Sequence, residues 1–157
     1  MILEIFTDGS LIKKNGTINT GYGIYFPNSE YNNVSNKLDV HDIHYAEIYA
    51  IKHTLNIIHK DIDIYTSVNI YTDSHHCIKK INKWYNHYLN NDIDSIITKK
   101  GRDIKNKSIL LDIYNIMGNN KDKYNFIHIK SHSGNIDQYS LNNRKADKLA
   151  RLGTCMK

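Results

Sequence analysis

Apolar and polar positions alternate in three short runs at the start of the chain. "MILEIFTDGS" alternates until it meets the turn pair Asp8-Gly9, which predicts a strand ending near Thr7 or Asp8. "KKNGTINTG" reads as a turn-rich loop, and "YGIYF" as a second strand closed by Pro27, the sole proline. "YNNVSNKLD" is a weaker third strand, and three short strands in series suggest an antiparallel meander. The period then changes. In "HYAEIYAIKHTLNIIHK" residues Ala46, Tyr49, Ala50, Leu55 and Ile58 recur at helical spacing, and Ile48, Ile51 and Ile57 widen the stripe. "SVNIYTD" returns to strand. "SHHCIKKINKWYNHYLNN" is helical, with Ile78, Ile81, Trp84 or Tyr85, and Tyr88 on one side. "DIDSIITKKGRDIKNKS" is polar, basic and without a clear period. "SILLDIYNIMG" is a helix stopped by Gly118, and "KYNFIHIKSHSG" a strand running into a loop. "SLNNRKADKLARLG" is a last helix, expected to be capped by Ser140 and stopped by Gly153. Strands followed by alternating strands and helices imply an α/β domain: one mixed sheet with helices packed on it.

The 157 residues suit one domain, 1–157, large enough for a core without staples. A net charge of +5 favours a polyanionic partner, though a soluble protein is often basic without one. Cys77 and Cys155 form no CxxC pair and no zinc spacing, so two reduced thiols are expected. No apolar run is long enough to span a bilayer, and the N-terminus lacks the basic region and apolar core of a signal peptide. The expectation is an intracellular protein, cytoplasmic or nuclear, with no membrane partner.

Four acids fall at suggestive places: Asp8 and Asp73 at strand ends, Glu47 in the first turn or so of the first long helix, and Asp147 near the start of the last. Each has an ordinary role. Asp8 precedes Gly9 in a favoured turn pair, Asp73 precedes Ser74 at a good cap position, and acids suit early helical turns. Their joint placement carries more. A mixed sheet can make Asp8 and Asp73 neighbours, and helices packed on it can supply Glu47 and Asp147. Converging carboxylates repel, and divalent cations relieve that cost. Oxygen ligands without thiolates suit Mg²⁺, or Mn²⁺. Two such ions about 3.5–4 Å apart are the common clamp for displacement at phosphorus.

"IFTDGS", "YAEIYAIKHTL", "IYTDS" and "IKSHSGNIDQYSLNNRKADKLAR" stand in the order and context of the type 1 ribonuclease H family, which the chain resembles over essentially its whole length. The resemblance implies a five-stranded mixed sheet of order 3-2-1-4-5 with helices on both faces. It implies an endoribonuclease that hydrolyses the RNA strand of RNA·DNA hybrids with two Mg²⁺ ions, leaving 5′-phosphate and 3′-hydroxyl ends. Carried over, Asp8 would bridge both ions, Glu47 and Asp73 would hold the ion on the leaving-group side, and Asp147 the ion carrying the attacking water. His132, one of nine histidines, matches the family's loop histidine, which assists proton transfer or product departure. Asn143 falls where the family often has an Asn near the metal site. Residues 79–107 resemble the basic protrusion that grips the DNA strand, with Trp84, Lys99, Lys100, Arg102, Lys105, Asn106 and Lys107 as candidates. Trp84 is alternatively a core residue, and the lysines a solvated face.

The chain departs from the family where Asn, Thr or Gln commonly precede the catalytic Glu. Here the stretch is "DIHYAE", where His44 can still donate a hydrogen bond. His75 stands where the family often has Gln, and Asn15-Gly16 replaces a Gly/Pro-rich first loop. Asn15, His44 and His75 complete the expected substrate-binding set. The other readings are a related nuclease acting on DNA or junctions, a non-catalytic nucleic-acid-binding module, and a piece of a larger polyprotein. The expectation is a free-standing monomeric enzyme.

Overall fold

The computed structural model describes residues 1–95, 101–102, 104–131, 134 and 136–156. Its strands are β1 (Ile2–Lys14), β2 (Thr17–Tyr25), β3 (Val34–Leu38), β4 (Ser67–Thr72) and β5 (Tyr124–His128). Its α-helices are α1 (Ile43–Ile58), α2 (His75–Leu89), α3 (Lys107–Met117) and α4 (Gln138–Thr154), with short 3₁₀ turns after α1, α2 and α3. The sheet order is β3-β2-β1-β4-β5; β1 to β3 run as an antiparallel meander, while β4 and β5 lie parallel to β1. Both the element order and the sheet order match the sequence reading.

The two sheet faces are covered differently. Leu3, Ile5, Ile24, Val68 and Ile70 point to one side and form the main core with Ile51, Leu55 and Ile58 of α1, Ile81 of α2 and Leu110 and Ile113 of α3. Tyr114 is fully buried there and donates from its hydroxyl to the Ile81 carbonyl at 2.6 Å. On the other side Phe6 and Tyr71 stack at 4.6 Å beneath Ala146 of α4. Beside them α4 lies directly on glycines. A Cβ on Gly21 would come within 2.6 Å of the Thr154 nitrogen, and one on Gly23 within 2.6 Å of the Ala150 nitrogen.

Three sequence expectations need correction. First, β1 does not end at Asp8 but runs to Lys14. Only its parallel pairing with β4 ends there, at Thr7 opposite Thr72; antiparallel pairing with β2 continues to Lys14 opposite Thr17. The intervening "loop" is a two-residue turn, Asn15 and Gly16, with φ of 52° and 76°. Two positive φ values are what an Asn-Gly hairpin turn supplies, and their twist matches the strands. Second, α4 begins earlier than Ser140. Asp137 is its cap and accepts from both the Ser140 amide and hydroxyl at 3.0 Å. Asp147 therefore lies past the middle of the helix, not near its start. Third, Gly153 does not stop α4. It is inside the helix, where a Cβ would meet the Asn36 carbonyl oxygen of β3 at 2.5 Å. Cys77 is buried and Cys155 exposed, and both are free thiols. Among the described residues, no helix is long and apolar enough to cross a membrane.

Candidate active site

The site lies where β1 and β4 part. Beyond the Thr7–Thr72 pair, β4 turns away into α2 while β1 continues as half of a hairpin. This leaves the Asp8 side chain, on the α4 face, without a β4 neighbour beyond it. Asp73 is the first residue after β4. It does not cap α2, because Ser74 does, accepting from the Cys77 amide at 3.1 Å. Ser74 is itself held by its amide, which donates to the Thr72 hydroxyl at 3.1 Å. These bonds fix the turn that carries Asp73.

Glu47 arrives from the opposite face. Asp42 caps α1 through the His44 amide at 2.9 Å, and Glu47 follows in the second turn. Gly9 decides how close it comes. A Cβ there would stand 2.8 Å from both the Glu47 backbone nitrogen and Cγ, and 2.9 Å from the Ala46 Cβ. The glycine is a packing requirement of the helix and not a turn signal. As a result Asp8, Glu47 and Asp73 each place a carboxylate oxygen within 4.8 Å of the others.

Asp147 enters from α4 and hydrogen-bonds Asp8, while Arg151 one turn on pairs with it at 3.0 Å. Asn143, one turn before Asp147, is buried, and its Oδ1 has no hydrogen-bond partner among the described residues. The same holds for Oε2 of Glu47.

The electrostatics follow from this crowding. Asp8 is only 3% exposed. Burial first, then the charges of Asp73, Glu47 and Asp147, hold its carboxyl well above the usual carboxylate range. Burial and the charge of Asp73 push Glu47 up to about 7, against a hydrogen bond from Ser74 that pulls the other way. Such crowding favours the protonated forms, because the carboxylates of Asp8, Glu47 and Asp73 face one another. An all-oxygen donor set with an orphaned, buried carboxylate oxygen fits a hard divalent cation.

The other candidates divide. His44 stacks on His76 of α2 with ring centroids 4.1 Å apart, and His75 meets the edge of His128 at 5.2 Å. Trp84 is half-buried against the main core and lines a cavity of about 370 Å³ with Lys79, Lys80, Lys83 and Lys105. Lys83 lies 4.6 Å over its ring. Burial and the neighbouring Lys105 lower the Lys80 ammonium from its ordinary value. Lys105 pairs with Asp42 at 3.0 Å and Lys107 with Asp94 at 3.2 Å. Asn106, at φ 62°, precedes α3 without capping it through its side chain. Arg102 is exposed. Asn15 is at the hairpin tip, ~20 Å along β1 from Asp8 at strand rise, so it is not brought to the cluster. His132, Lys99 and Lys100 lie outside the described residues.

Sequence reasoning missed Lys79, Lys80 and Lys83 as members of the Trp84 cavity. Their signal was present: cations at 79, 80 and 83 recur at helical spacing beside Trp84.

A 3-2-1-4-5 mixed sheet with carboxylates gathered where β1 and β4 part defines a ribonuclease H-like fold. The chain belongs to the RNase H family, whose model matches residues 2–154. A probable ribonuclease H of Acanthamoeba polyphaga mimivirus is 31% identical over 133 residues, 83% of this chain and 56% of that protein. The chain thus spans about half the length of that curated relative. The PFV RNase H domain, solved in solution, is 27% identical with a TM-score of 0.75, covering 98% of this chain and 94% of that one. A foamy viral protease-reverse transcriptase solved with an RNA/DNA hybrid is 21% identical with a TM-score of 0.72, covering 97% of this chain and 20% of that one; this likeness is one of fold.

Proposed function

We propose that this chain is a metal-dependent endoribonuclease that hydrolyses the RNA strand of RNA·DNA hybrids, leaving 5′-phosphate and 3′-hydroxyl ends. The observation that carries the proposal is the convergence of Asp8, Glu47 and Asp73 within 4.8 Å, with Asp147 bonded to Asp8, in a chain of the RNase H family. The likeness to the PFV RNase H domain, 27% identical over 98% of this chain, supports the choice of activity.

Asp8, the most buried and most surrounded acid, would face both of two Mg²⁺ ions, with Glu47 and Asp73 on one side and Asp147 on the other. Bound there, the ions supply a water activated for attack and a counterion for the departing oxygen. The chain's own residues do the rest. Gly9 and the Ser74 turn fix Glu47 and Asp73 before substrate arrives. Arg151 orients the Asp147 carboxylate. The Asp147 side chain keeps 23% of its surface exposed, which leaves that side open to water, whereas Asp8 is sealed. We assign proton handling to His132, six residues before α4 in the sequence, and a supporting position to Asn143.

Grip on the duplex falls to the face running from His44 and His76 into the Trp84 cavity. Several cations around one groove repel each other, and the phosphates of a DNA strand relieve that repulsion. Residues 79–107 would act as the protrusion that carries this grip. His75, at the start of α2 two residues after Asp73, would meet the RNA strand.

The test is cleavage of a labelled RNA·DNA hybrid beside duplex RNA, duplex DNA and single strands, with Mg²⁺ and with EDTA. Cutting confined to the RNA strand of the hybrid, and abolished by EDTA, is the expected result. Cutting of another duplex, or binding without cutting, would overturn the substrate or the activity respectively.

A further inference from the structure

The α4 face carries a second cavity that the proposed chemistry does not use. It measures about 390 Å³, and its lining includes Phe6, Tyr25, Tyr139, Gln138, Asn142 and Lys145, with the Glu4 carboxylate, held by the Tyr71 hydroxyl, also in the wall. Phe6 is two residues before Asp8 on the same face of β1 and Glu4 two residues before that, so the cavity lies back along β1 from the acid cluster, on the face away from the Trp84 groove. Its size is that of a small-ligand site.

The lining has an unusual division of labour. Tyr139 is 48% exposed, yet its ring is tilted against Tyr71 at 5.3 Å and Phe6 at 6.4 Å, which holds it at the edge of the aromatic stack without closing the space. Tyr71 is anchored beneath by its hydroxyl, which donates to Glu4 at 2.6 Å. Lys145 sits 5.2 Å over the Tyr25 ring and donates to the Tyr25 hydroxyl at 3.1 Å, placing a cation at the rim. Gln138 donates to the Asn142 carbonyl at 2.8 Å, and among the described residues neither side-chain amide makes another hydrogen bond. Aromatic faces, unspent amide groups and a rim cation are the parts from which nucleobase sites are built. A neighbouring cavity of about 390 Å³ shares Tyr25 and Lys145 and adds Lys148, one helical turn along. The two cavities adjoin along α4 at the Tyr25–Lys145 pair, with cations a turn apart.

We propose that these adjoining cavities are a binding site for single-stranded nucleic acid, with one base stacked on Tyr139 and the backbone held by Lys145 and Lys148. It would receive the unpaired end of a strand whose duplex part lies across the acid cluster. The ligand class follows from the lining; only its continuity with the duplex rests on the nuclease reading.

The experiment uses the full chain in EDTA, so that nothing is cut. Binding of a fluorescent single-stranded RNA hexamer is measured for the wild type, Tyr139→Ala, Tyr139→Phe and Lys145→Glu, alongside a mononucleotide and a blunt hybrid. Loss of a stacked base weakens binding by roughly 5- to 150-fold, so Tyr139→Ala should weaken the hexamer at least fivefold. Tyr139→Phe should restore it, and Lys145→Glu should weaken it and flatten its salt dependence. Blunt-hybrid cleavage in Mg²⁺ should stay within twofold for all three variants. Nuclear magnetic resonance of the wild type should show the hexamer shifting the Phe6 and Tyr25 ring signals, a readout independent of any variant's folding. Unchanged hexamer affinity in Tyr139→Ala and Lys145→Glu, or shifts confined to Trp84, would overturn the site. Equal affinity for the mononucleotide would overturn the assignment to a strand. Absence of hybrid cleavage with hexamer binding intact would refute the nuclease reading and leave this one standing.

Discussion

Replacing Glu47 by Gln tests whether the acid cluster is built for a charge it does not itself contain. In the metal-free protein burial and Asp73 push this carboxyl from 4.5 up to about 7. The sign is that of a raised acid: the folded state holds the proton to higher pH than the unfolded chain, so stability falls as pH rises between those values. The penalty is nearly absent below 4.5 and complete above 7. At 1.36 kcal/mol per pH unit it reaches about 3 kcal/mol at pH 8 and about 1 kcal/mol at pH 5. Gln keeps the length of the side chain and removes the charge. Glu47→Gln should therefore be more stable than the wild type by about 3 kcal/mol at pH 8 and by about 1 kcal/mol at pH 5. Any packing change is common to both pH values and cancels in the difference. Urea unfolding in EDTA reads this directly, as a midpoint shift of roughly 1–3 M at pH 8. Saturating Mg²⁺ should reverse the order, because it stabilises only a chain that binds it. An equal gap at both pH values, or a variant less stable at pH 8 in EDTA, would refute the account of a strained, cation-seeking cluster.

Other consequences follow from the same geometry. Asp73→Asn should fold normally, since Ser74 and not Asp73 caps α2, and should lose at least a hundredfold in hybrid cleavage; wild-type turnover would sink its assignment as a ligand. Gly9→Ala should lower stability by about 1–3 kcal/mol through overpacking against Glu47 and Ala46, and should cost activity beyond its effect on folding, both measurable by melting and by cleavage at a temperature where the variant is folded. Replacing Lys80 and Lys83 by Ala should weaken hybrid binding and reduce the slope of log affinity against log salt by about 0.9 for each lost phosphate contact. An unchanged slope would remove the Trp84 cavity from the duplex path.

Three of the acids were legible in the sequence because each stands where a periodic pattern changes: the end of parallel pairing for Asp8 and Asp73, and the opening turns of a helix for Glu47; Asp147, inside α4, has no such local mark. The glycines were not legible. Asp8-Gly9 has the composition of a turn, and nothing local distinguishes a glycine that bends the chain from one that admits a helix. The difference lies in Glu47, far along the sequence. Gly153 was misread for the same reason, since its partner is Asn36. The α4 cap went to Asp137 over Ser140 because two hydrogen bonds from Ser140 favour the earlier carboxylate. The lysines beside Trp84 were visible by spacing, but only the fold brings Lys105 to them.

The acids sit at positions 8, 47, 73 and 147, and β1 gains its parallel neighbour only when β4 is present. That dispersal has a kinetic meaning. Chain synthesis proceeds from the N-terminus, and the β1–β2 hairpin can close early because its partners are local. The carboxylate cluster cannot. It waits for β4, and its last member waits for α4, which must settle on Gly21 and Gly23, far back in the sequence. A nascent chain that has not yet extruded α4 therefore has no complete centre, and the site becomes competent only once α4 has docked on the sheet.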